Sequence, residues 1–402
     1  MSKACDKPKA KRSRFAAQGL LILAVLCVPL FAWFGYKVHR AGQQRKTVAW
    51  IESQRIERDG VLRPWGSYHY DFQYIGEMRY GEREYTGDMN QQVAGDYGDA
   101  ELPGWDWPRK ILGIDFFADV HLVNLSEIEV TDDDLKHLAT LTELHDLYLA
   151  DTQVTDDGLA HLAGMSNLKV LTLRNTEITD DGLQQLAGRA QLRWLGLGGT
   201  RVTGVGLEHR TGLTNLRMLS LANTQANAAG MEHLTGLIAL QALYLNNTQV
   251  TDAGLEHLKG LTSLELLVLS DTQVTGAIPS NSNGLTALRV LRLDNTQAND
   301  AGMEHLKGLT AMQGLTLRNT QVTDAGLTHL QGLTSLEQLD LGGTQVTDAG
   351  LEYLHGLKAL SVLKLDGAKV SYKGVRRFSG RRHKLALPPC QILPWTLHDP
   401  PR

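Results

Sequence analysis

Seven histidines recur at one position of a repeated segment, 24 residues apart or a multiple of that distance. Imidazole nitrogens are common metal ligands, so the ladder raises the possibility of metal binding. A metal ion needs ligands that converge to about 2 Å from one centre, whereas equivalent residues of adjacent repeats lie much further apart. We therefore interpret these histidines as helix-surface residues inherited with the repeat, namely His137, His161, His209, His233, His257, His305 and His329.

Acidic turns in the same repeats are the second candidate for chemistry, because hard cations such as Ca²⁺ take carboxylate ligands. Their spacing matches no calcium loop, and capping of helix N-termini accounts for them first. The turns are Asp132, Asp133 and Asp134, then Asp156 and Asp157, then Asp180 and Asp181. The sequence contains no GxSxG, HExxH, CxxC or GxxxxGK[ST] motif. We therefore predict no catalytic residue, metal or cofactor; an enzyme would need a cleft within residues 47–119.

The element that positions all these residues is a 24-residue repeat, roughly LxxLxLxxTxVTDAGLxHLxGLxx, written ten times from Leu144. Apolar residues alternate in its first part, which predicts a short strand, and recur three or four apart in its second part, which predicts a short helix. Two apolar stripes cannot be buried within 24 residues, so neighbouring copies must stack into a solenoid.

A degraded copy begins at Val120, which gives eleven coils over residues 120–378. We predict an α/β solenoid with a parallel sheet on its concave face, roughly 50 Å long, and short helices on its convex face. We interpret the repeated Thr, as at Thr152, as a hydroxyl ladder that bonds the turn backbone. The coil from Leu264 carries GAIPSNSNGL in place of the helical half, and we predict that its helix is missing.

The repeat resembles the leucine-rich repeat, and its VTDAGLxHL motif resembles the repeats of membrane-anchored proteins of planctomycete bacteria. It is more distantly similar to the repeats of eukaryotic F-box proteins, although no F-box is recognisable upstream. The segments YHYDFQY (68–74) and RKILGIDFFADV (109–120) also resemble the N-terminal region of the bacterial family. The resemblance implies a fold and a location, and it carries no catalytic residue.

The N-terminal region combines a basic tail at 1–14 with an uncharged apolar stretch at 15–36. Its 22 residues span about 33 Å as a helix, which is enough for one transmembrane helix; a cleaved signal peptide is the alternative. The first 46 residues hold ten Lys or Arg against one acid, and the remainder holds 30 against 43. The positive-inside rule favours a cytoplasmic N-terminus and repeats outside the cytoplasm.

Two segments flank the repeats. Residues 37–119 hold no repeat and are rich in Tyr and Trp, and we interpret them as a juxtamembrane region and an N-terminal cap. The basic end of the chain begins to cap the last coil around Val375 and Phe378, and we predict a frayed C-terminal tail at 379–402.

An internal duplication indicates which surface of the repeats is a candidate for binding. The two coils from Leu216 reappear 72 residues later and differ at twelve of 48 positions. Six of the differences fall on the positions that flank the buried strand leucines, and all six of these positions changed. The pairs are Met218/Val290, Ser220/Arg292, Ala222/Asp294, Ala242/Gly314, Tyr244/Thr316 and Asn246/Arg318. We interpret the pattern as diversification for binding; drift of exposed residues is the alternative.

The same face is predicted to carry an exposed apolar strip flanked by arginines, which suits a helix or an extended peptide. Coverage of the strip by long neighbouring side chains is the alternative. The predicted contact residues are Tyr148, Val170, Arg174, Trp194, Met218, Tyr244, Leu266, Val268, Val290, Arg292 and Arg318.

The function expected from these features is a membrane-anchored scaffold that binds a protein or peptide partner on its concave face. The alternative is a structural or self-associating component of the cell envelope without a specific ligand. We expect no nucleic-acid partner.

Overall fold

The computed structural model describes residues 121–209, 212–279, 284–385 and 387–393, with five helical residues at positions 36, 39, 40, 43 and 46. The chain divides into two compact units, Met1–Val120 and His121–Arg402. Apart from those five positions, the predicted tail at 1–14, the span at 15–36 and the cap at 37–119 lie outside the described residues. Within the described part, no helix is both long and apolar enough to cross a bilayer.

The first part of every coil forms a three-residue strand with a buried central residue, as the alternation predicts. Partners in adjacent strands are one repeat apart, so Leu219 pairs with Leu243. Twelve strands of the described part form one parallel sheet in chain order. They are β1 (Leu122–Asn124), β2 (Asp146–Tyr148), β3 (Val170–Thr172), β4 (Trp194–Gly196), β5 (Met218–Ser220), β6 (Ala242–Tyr244), β7 (Leu266–Val268), β8 (Val290–Arg292), β9 (Gly314–Thr316), β10 (Gln338–Asp340), β11 (Val362–Lys364) and β12 (Gln391–Leu393).

The core is a stack of leucine rows that runs along the whole sheet. In the coil of β5, Leu216, Leu219 and Leu221 are all 0% exposed. Burial of a leucine side chain contributes about 1.5–3 kcal/mol, but each coil completes the burial of its neighbours rather than its own. Stability is therefore shared along the stack, and the predicted solenoid with a parallel sheet is confirmed.

The turn after each strand depends on a polar pair. Its first residue is Asn or Asp in most coils and adopts a left-handed conformation, as at Asn223 with φ 57°, which these side chains tolerate. The next residue is a buried Thr, and the Thr224 hydroxyl donates to the Leu221 carbonyl at 2.6 Å. The predicted hydroxyl ladder is confirmed, with equivalent bonds at Thr152, Thr176, Thr200, Thr248, Thr272, Thr296, Thr320 and Thr344.

Short helices form the face opposite the sheet. The α-helices of the described part are α1 (Asp132–Leu138), α2 (Asp156–Ala160), α3 (Ala228–Glu232), α4 (Asp252–Leu255), α5 (Asp300–Glu304), α6 (Asp324–Leu327) and α7 (Tyr372–Lys384). Segments of 3₁₀-helix occupy Asp181–Leu186, Val205–His209, Glu256–Leu258, Thr328–Leu330 and Gly350–Gly356. No helix lies between β7 and β8 among the described residues, which agrees with the prediction for the coil from Leu264.

The acidic turns bond one coil to the next. The Asp132 carboxylate accepts hydrogen bonds from the Thr155 backbone N–H at 2.8 Å and the Thr155 hydroxyl at 2.7 Å. We call this arrangement the Asp–Thr staple. It recurs as Asp156–Thr179, Asp180–Thr203, Asp252–Thr275, Asp300–Thr323, Asp324–Thr347 and, with serine, Asp348–Ser371. The turns are therefore structural links between coils.

The staple is missing where its acid is replaced. Gly204 and Gly276 occupy the Asp position, both with φ +92°. The following coil then carries Asn in place of Thr, and the Asn227 side chain caps its own helix through the Ala229 N–H at 3.0 Å. At Ala228 the acid is also absent, and Thr251 of the next coil makes no side-chain cap bond.

The C-terminal end is more ordered than the sequence predicted. Helix α7 continues past Phe378, where we placed the end of the solenoid, to Lys384. Arg382 is 2% exposed and donates to the Leu357, Leu360 and Pro388 carbonyls at 2.9–3.1 Å. These bonds hold the chain in place for β12, which pairs with β11. Residues 379–385 and 387–393 therefore contribute the cap and a twelfth strand rather than a frayed tail, and the rest of the predicted tail, 394–402, lies outside the described residues.

Candidate partner-binding face

The candidate site is the sheet face that carries the first and third residues of each strand, which we call the inner face. These residues flank the buried central leucines, because side chains alternate along a strand. Register partners from adjacent coils form continuous rows; one row contains Val170, Trp194, Met218, Ala242 and Leu266. The sequence-predicted residues of strands β2 to β8 are thus brought together on one face.

The apolar part of this face is less exposed than predicted. Tyr148, Leu266 and Val268 are buried, at 4%, 1% and 6% exposure. Neighbouring side chains lie only about 4.8 Å apart along a row, so large residues contribute to covering one another. The predicted contacts at half-buried positions are Val170, Trp194, Met218, Tyr244, Val290, Arg292 and Arg318, and Arg174 is exposed. The expected freely exposed strip is therefore corrected to a closely packed surface, in which Tyr148, Leu266 and Val268 are buried.

The two aromatic residues at the N-terminal side of this face form a pair. The Tyr148 and Trp194 rings meet edge to face, with centroids 6.4 Å apart and an interplanar angle of 81°. Strand β3 lies between their strands, so the contact crosses a whole coil. Edge-to-face pairs stabilise by about 0.5–1.5 kcal/mol beyond the area that they bury, which gives this part of the face a fixed shape.

The C-terminal side of the inner face is charged, which sequence reasoning missed. The Asp294 carboxylate accepts hydrogen bonds from the Thr316 hydroxyl at 2.6 Å and the Arg318 N–H at 3.0 Å. The Arg318 guanidinium in turn forms an ion pair with Asp366. Arg318, which was predicted to contact a partner, therefore already binds carboxylates of its own chain.

A second ion pair lies beside the first. Lys364 Nζ is 3.6 Å from the Asp340 carboxylate, which also accepts from the Gly342 N–H at 2.9 Å. Burial raises the pKa of Asp340 despite these favourable contacts, and the side chain of Asp366 raises the pKa of Arg318 through its hydrogen bond. The row positions of the coils from Leu288 onwards could have identified this network, because they carry Asp, Arg and Lys where most earlier coils carry uncharged residues.

The remaining candidates for chemistry lie elsewhere. The histidine ladder lies on the helical side of the coils, and the acids Asp132, Asp156 and Asp180 are engaged in staples. Among the described residues, no three His, Cys, Asp or Glu side chains form a group that could hold a metal ion.

Comparisons with known proteins agree with this architecture. A family profile described as "Leucine-rich repeat region" matches residues 207–391, and a second, "Leucine Rich repeat", matches residues 164–187. The search of curated proteins found no match. The crystal structure of an internalin from Listeria monocytogenes matches with a TM-score of 0.53 at 24% identity, covering 67% of this chain and 81% of that one.

A leucine-rich-repeat protein from Leptospira interrogans also matches, with a TM-score of 0.44 and 20% identity over 64% of this chain and 74% of that one. The internalin similarity concerns the fold alone. The profile matches identify leucine-rich repeats within residues 164–187 and 207–391, and this repeat fold is typical of protein-binding scaffolds.

Proposed function

We propose that this leucine-rich-repeat chain is a membrane-anchored scaffold that captures a protein or peptide partner on its inner face. The apolar stretch at 15–36 is proposed as a single transmembrane anchor with a cytoplasmic N-terminus, which presents the repeats outside the cytoplasm. The role is recognition rather than catalysis, since proteins with this fold generally serve as scaffolds.

The proposal rests mainly on the internal duplication, once the two copies are compared strand by strand in the structure. Strands β5 and β6 of the first block correspond to β8 and β9 of the second. The Thr hydroxyl bonds are the same in both blocks: Thr224 and Thr296 each donate to a leucine carbonyl at 2.6 Å. The framework was copied, whereas all six inner-face positions differ between the blocks.

The substituted residues differ in chemistry as well as identity. Met218 corresponds to Val290, a small apolar change, but Ser220 corresponds to Arg292 and Ala222 to Asp294. Such changes alter hydrogen bonding and charge on a surface whose scaffold is unchanged, which is how one fold acquires a different partner contact.

A block exchange tests this proposal. The six inner-face residues of the first block are replaced by their equivalents from the second, as M218V, S220R, A222D, A242G, Y244T and N246R. Each new residue already occupies the equivalent position in the same chain, so we expect the solenoid to stay folded. Capture of partners from a native membrane extract by the full chain is compared with the wild type, and circular dichroism verifies folding.

The matched control exchanges outer positions of the same two coils, as A228D, T235K, I238T, E256T and K259Q. We expect the inner exchange to lose the captured partner and the outer exchange to keep it. Loss of capture by the outer exchange alone would overturn the proposal. A partner that proves to be another copy of the chain, held equally by both variants, would favour the self-associating envelope component.

A further inference from the structure

The residue directly before each strand forms a further row at the edge of the inner face. In the first five coils every member of this row is basic: His121, His145, Lys169, Arg193 and Arg217. We call this row the basic ridge. In later coils the same row reads Gln241, Glu265, Arg289, Gln313, Glu337 and Ser361. The unbroken run of basic residues is thus confined to the N-terminal coils, and Arg289 is the one basic residue that follows it in the row.

Contacts between its members make the ridge continuous. The His121 and His145 rings stack with centroids 4.8 Å apart, and Lys169 Nζ lies 3.5 Å from His145 Nδ1. The main chain fixes the remaining spacing, since the Arg193 N–H donates to the Lys169 carbonyl and the Arg217 N–H to the Arg193 carbonyl, both at 2.8 Å. The five side chains therefore follow one another at the strand spacing, over about 19 Å.

The ridge keeps its positive charge within the described residues. Of the ion pairs that form there, none involves Lys169, Arg193 or Arg217. Arg193 and Arg217 are exposed, and Lys169 is half-buried. By contrast, Arg289 in the same row lies 3.3 Å from the carboxylate of Glu265. Three successive coils therefore present permanent cations along one edge, at Lys169, Arg193 and Arg217, although the chain as a whole carries a formal charge of −4 with His neutral.

An apolar stripe runs beside the ridge. Each of the last three basic residues is followed directly by a half-buried apolar residue of the strand, Val170, Trp194 or Met218. A polyanion without apolar groups would engage the cations but make no use of these apolar side chains. A polypeptide with acidic and apolar residues on adjoining stripes engages both.

The spacing selects the conformation of that polypeptide. Helix turns repeat every 5.4 Å, close to the strand spacing of about 4.8 Å, so the two drift apart by only about 2 Å over five coils. Long Lys and Arg side chains accommodate that drift. An extended peptide places side chains of one face about 6.8 Å apart and falls out of step after two coils.

We propose that the basic ridge binds the acidic stripe of an amphipathic helix of the partner protein, while the apolar stripe of that helix contacts Val170, Trp194 and Met218. This inference rests on the proposed function and names the chemistry of the partner. It assigns the N-terminal coils to helix capture, through a run of basic residues that the rest of the row lacks.

The test uses peptide probes of about 14 residues, which span the ridge as a helix. The first is a lactam-stapled helix with a Glu stripe beside a Leu stripe; the second carries Lys in place of Glu. A third keeps the acidic composition but contains prolines that hold it extended. Fluorescence anisotropy measures their binding to the full chain in a mild non-ionic detergent.

We expect the acidic helix to bind, the basic helix not to bind, and the extended peptide to bind at least about tenfold more weakly. The double substitution R193Q/R217Q introduces the residue that this row already carries at Gln241 and Gln313, so the fold is preserved. It weakens binding of the acidic helix about tenfold, because two exposed charge contacts are lost together. The matched control R289Q removes an arginine that is already paired, and changes the affinity less than about twofold.

Three results would overturn the inference: no binding of the acidic helix to the unaltered chain, equal binding of the extended peptide, or an unchanged affinity in R193Q/R217Q. Failure here is distinguishable from failure of the proposed function. If the block exchange at 218–246 abolishes capture while the ridge substitutions change nothing, only the assignment of a helical acidic partner is lost.

Discussion

The Asp–Thr staple can be tested by two matched substitutions that are expected to change the free energy of unfolding in opposite directions. The Asp300 carboxylate accepts three hydrogen bonds, from the Thr323 N–H at 2.8 Å, the Thr323 hydroxyl at 2.6 Å and the Gly326 N–H at 2.9 Å. Its duplicate position is Ala228, where no staple exists and the equivalent Thr251 lacks a side-chain cap bond. Substitution D300A removes the staple, whereas A228D supplies the missing acid.

The magnitudes follow from the number of bonds and their exposure. A hydrogen bond to a charged group contributes about 1.5–3 kcal/mol, and less where water can replace it. Asp300 and Thr323 are half-buried, so we expect D300A to lower the free energy of unfolding by about 2–4 kcal/mol. A228D should raise it by about 1–2 kcal/mol, because part of the gain is offset by the ordering of the new side chain.

Urea denaturation of the full chain at neutral pH, followed by circular dichroism, measures both changes. An exposed acid that makes no staple, Asp157, provides the control, and D157A should change stability by less than about 0.5 kcal/mol. If D300A and A228D were both neutral, or if A228D were destabilising, the staple would not be a coil-to-coil link of the kind described.

Three further predictions concern the turn, the cap and pH. T248V removes the buried hydroxyl that donates to Leu245 at 2.6 Å, and should lower stability by about 1–2 kcal/mol in urea denaturation; an unchanged midpoint would contradict the role of the ladder. R382M removes the bonds that hold the C-terminal cap, so hydrogen exchange at β12 should accelerate at least about tenfold, and unchanged protection would contradict it. Burial lowers the pKa of His355, which stacks on Phe378, below the ordinary 6.5. The unfolded chain then binds the proton more readily, and stability should fall as pH falls through about 6.5; H355L should flatten that dependence in thermal melts at pH 5–8.

The repeat period predicted most of the fold, because a 24-residue unit with two apolar stripes permits little besides stacking. It did not predict β12, since Gln391–Leu393 follows no further copy of the repeat and is placed by the buried Arg382. A charged residue that donates to carbonyls of the preceding coil does not recur with the repeat, so the repeat pattern cannot predict it. The same holds for Arg189, which occupies a core leucine position and donates to the Met165 carbonyl at 2.8 Å.

The sequence predicted which face of the sheet the candidate residues occupy, but it did not predict how exposed each of them is. Strand alternation placed Trp194 and Leu266 on one face, yet Leu266 is 1% exposed while Trp194 is half-buried. Exposure depends on the size of both row neighbours, which a reading of single strands does not include. The Arg318–Asp366 pair joins residues 48 positions apart, and only the coil register brings them together.

The central claim, that the inner face receives the partner, is tested most directly by site-specific photo-crosslinking. A benzophenone amino acid is placed at Met218 on the inner face or at Ile238, which is 64% exposed and differs between the duplicated blocks without lying on that face. The full chain is then irradiated in native membranes, and its adducts are identified by mass spectrometry. A partner adduct from position 218 that is absent from position 238 is the predicted result. The same adduct from position 238, with none from position 218, would contradict the claim.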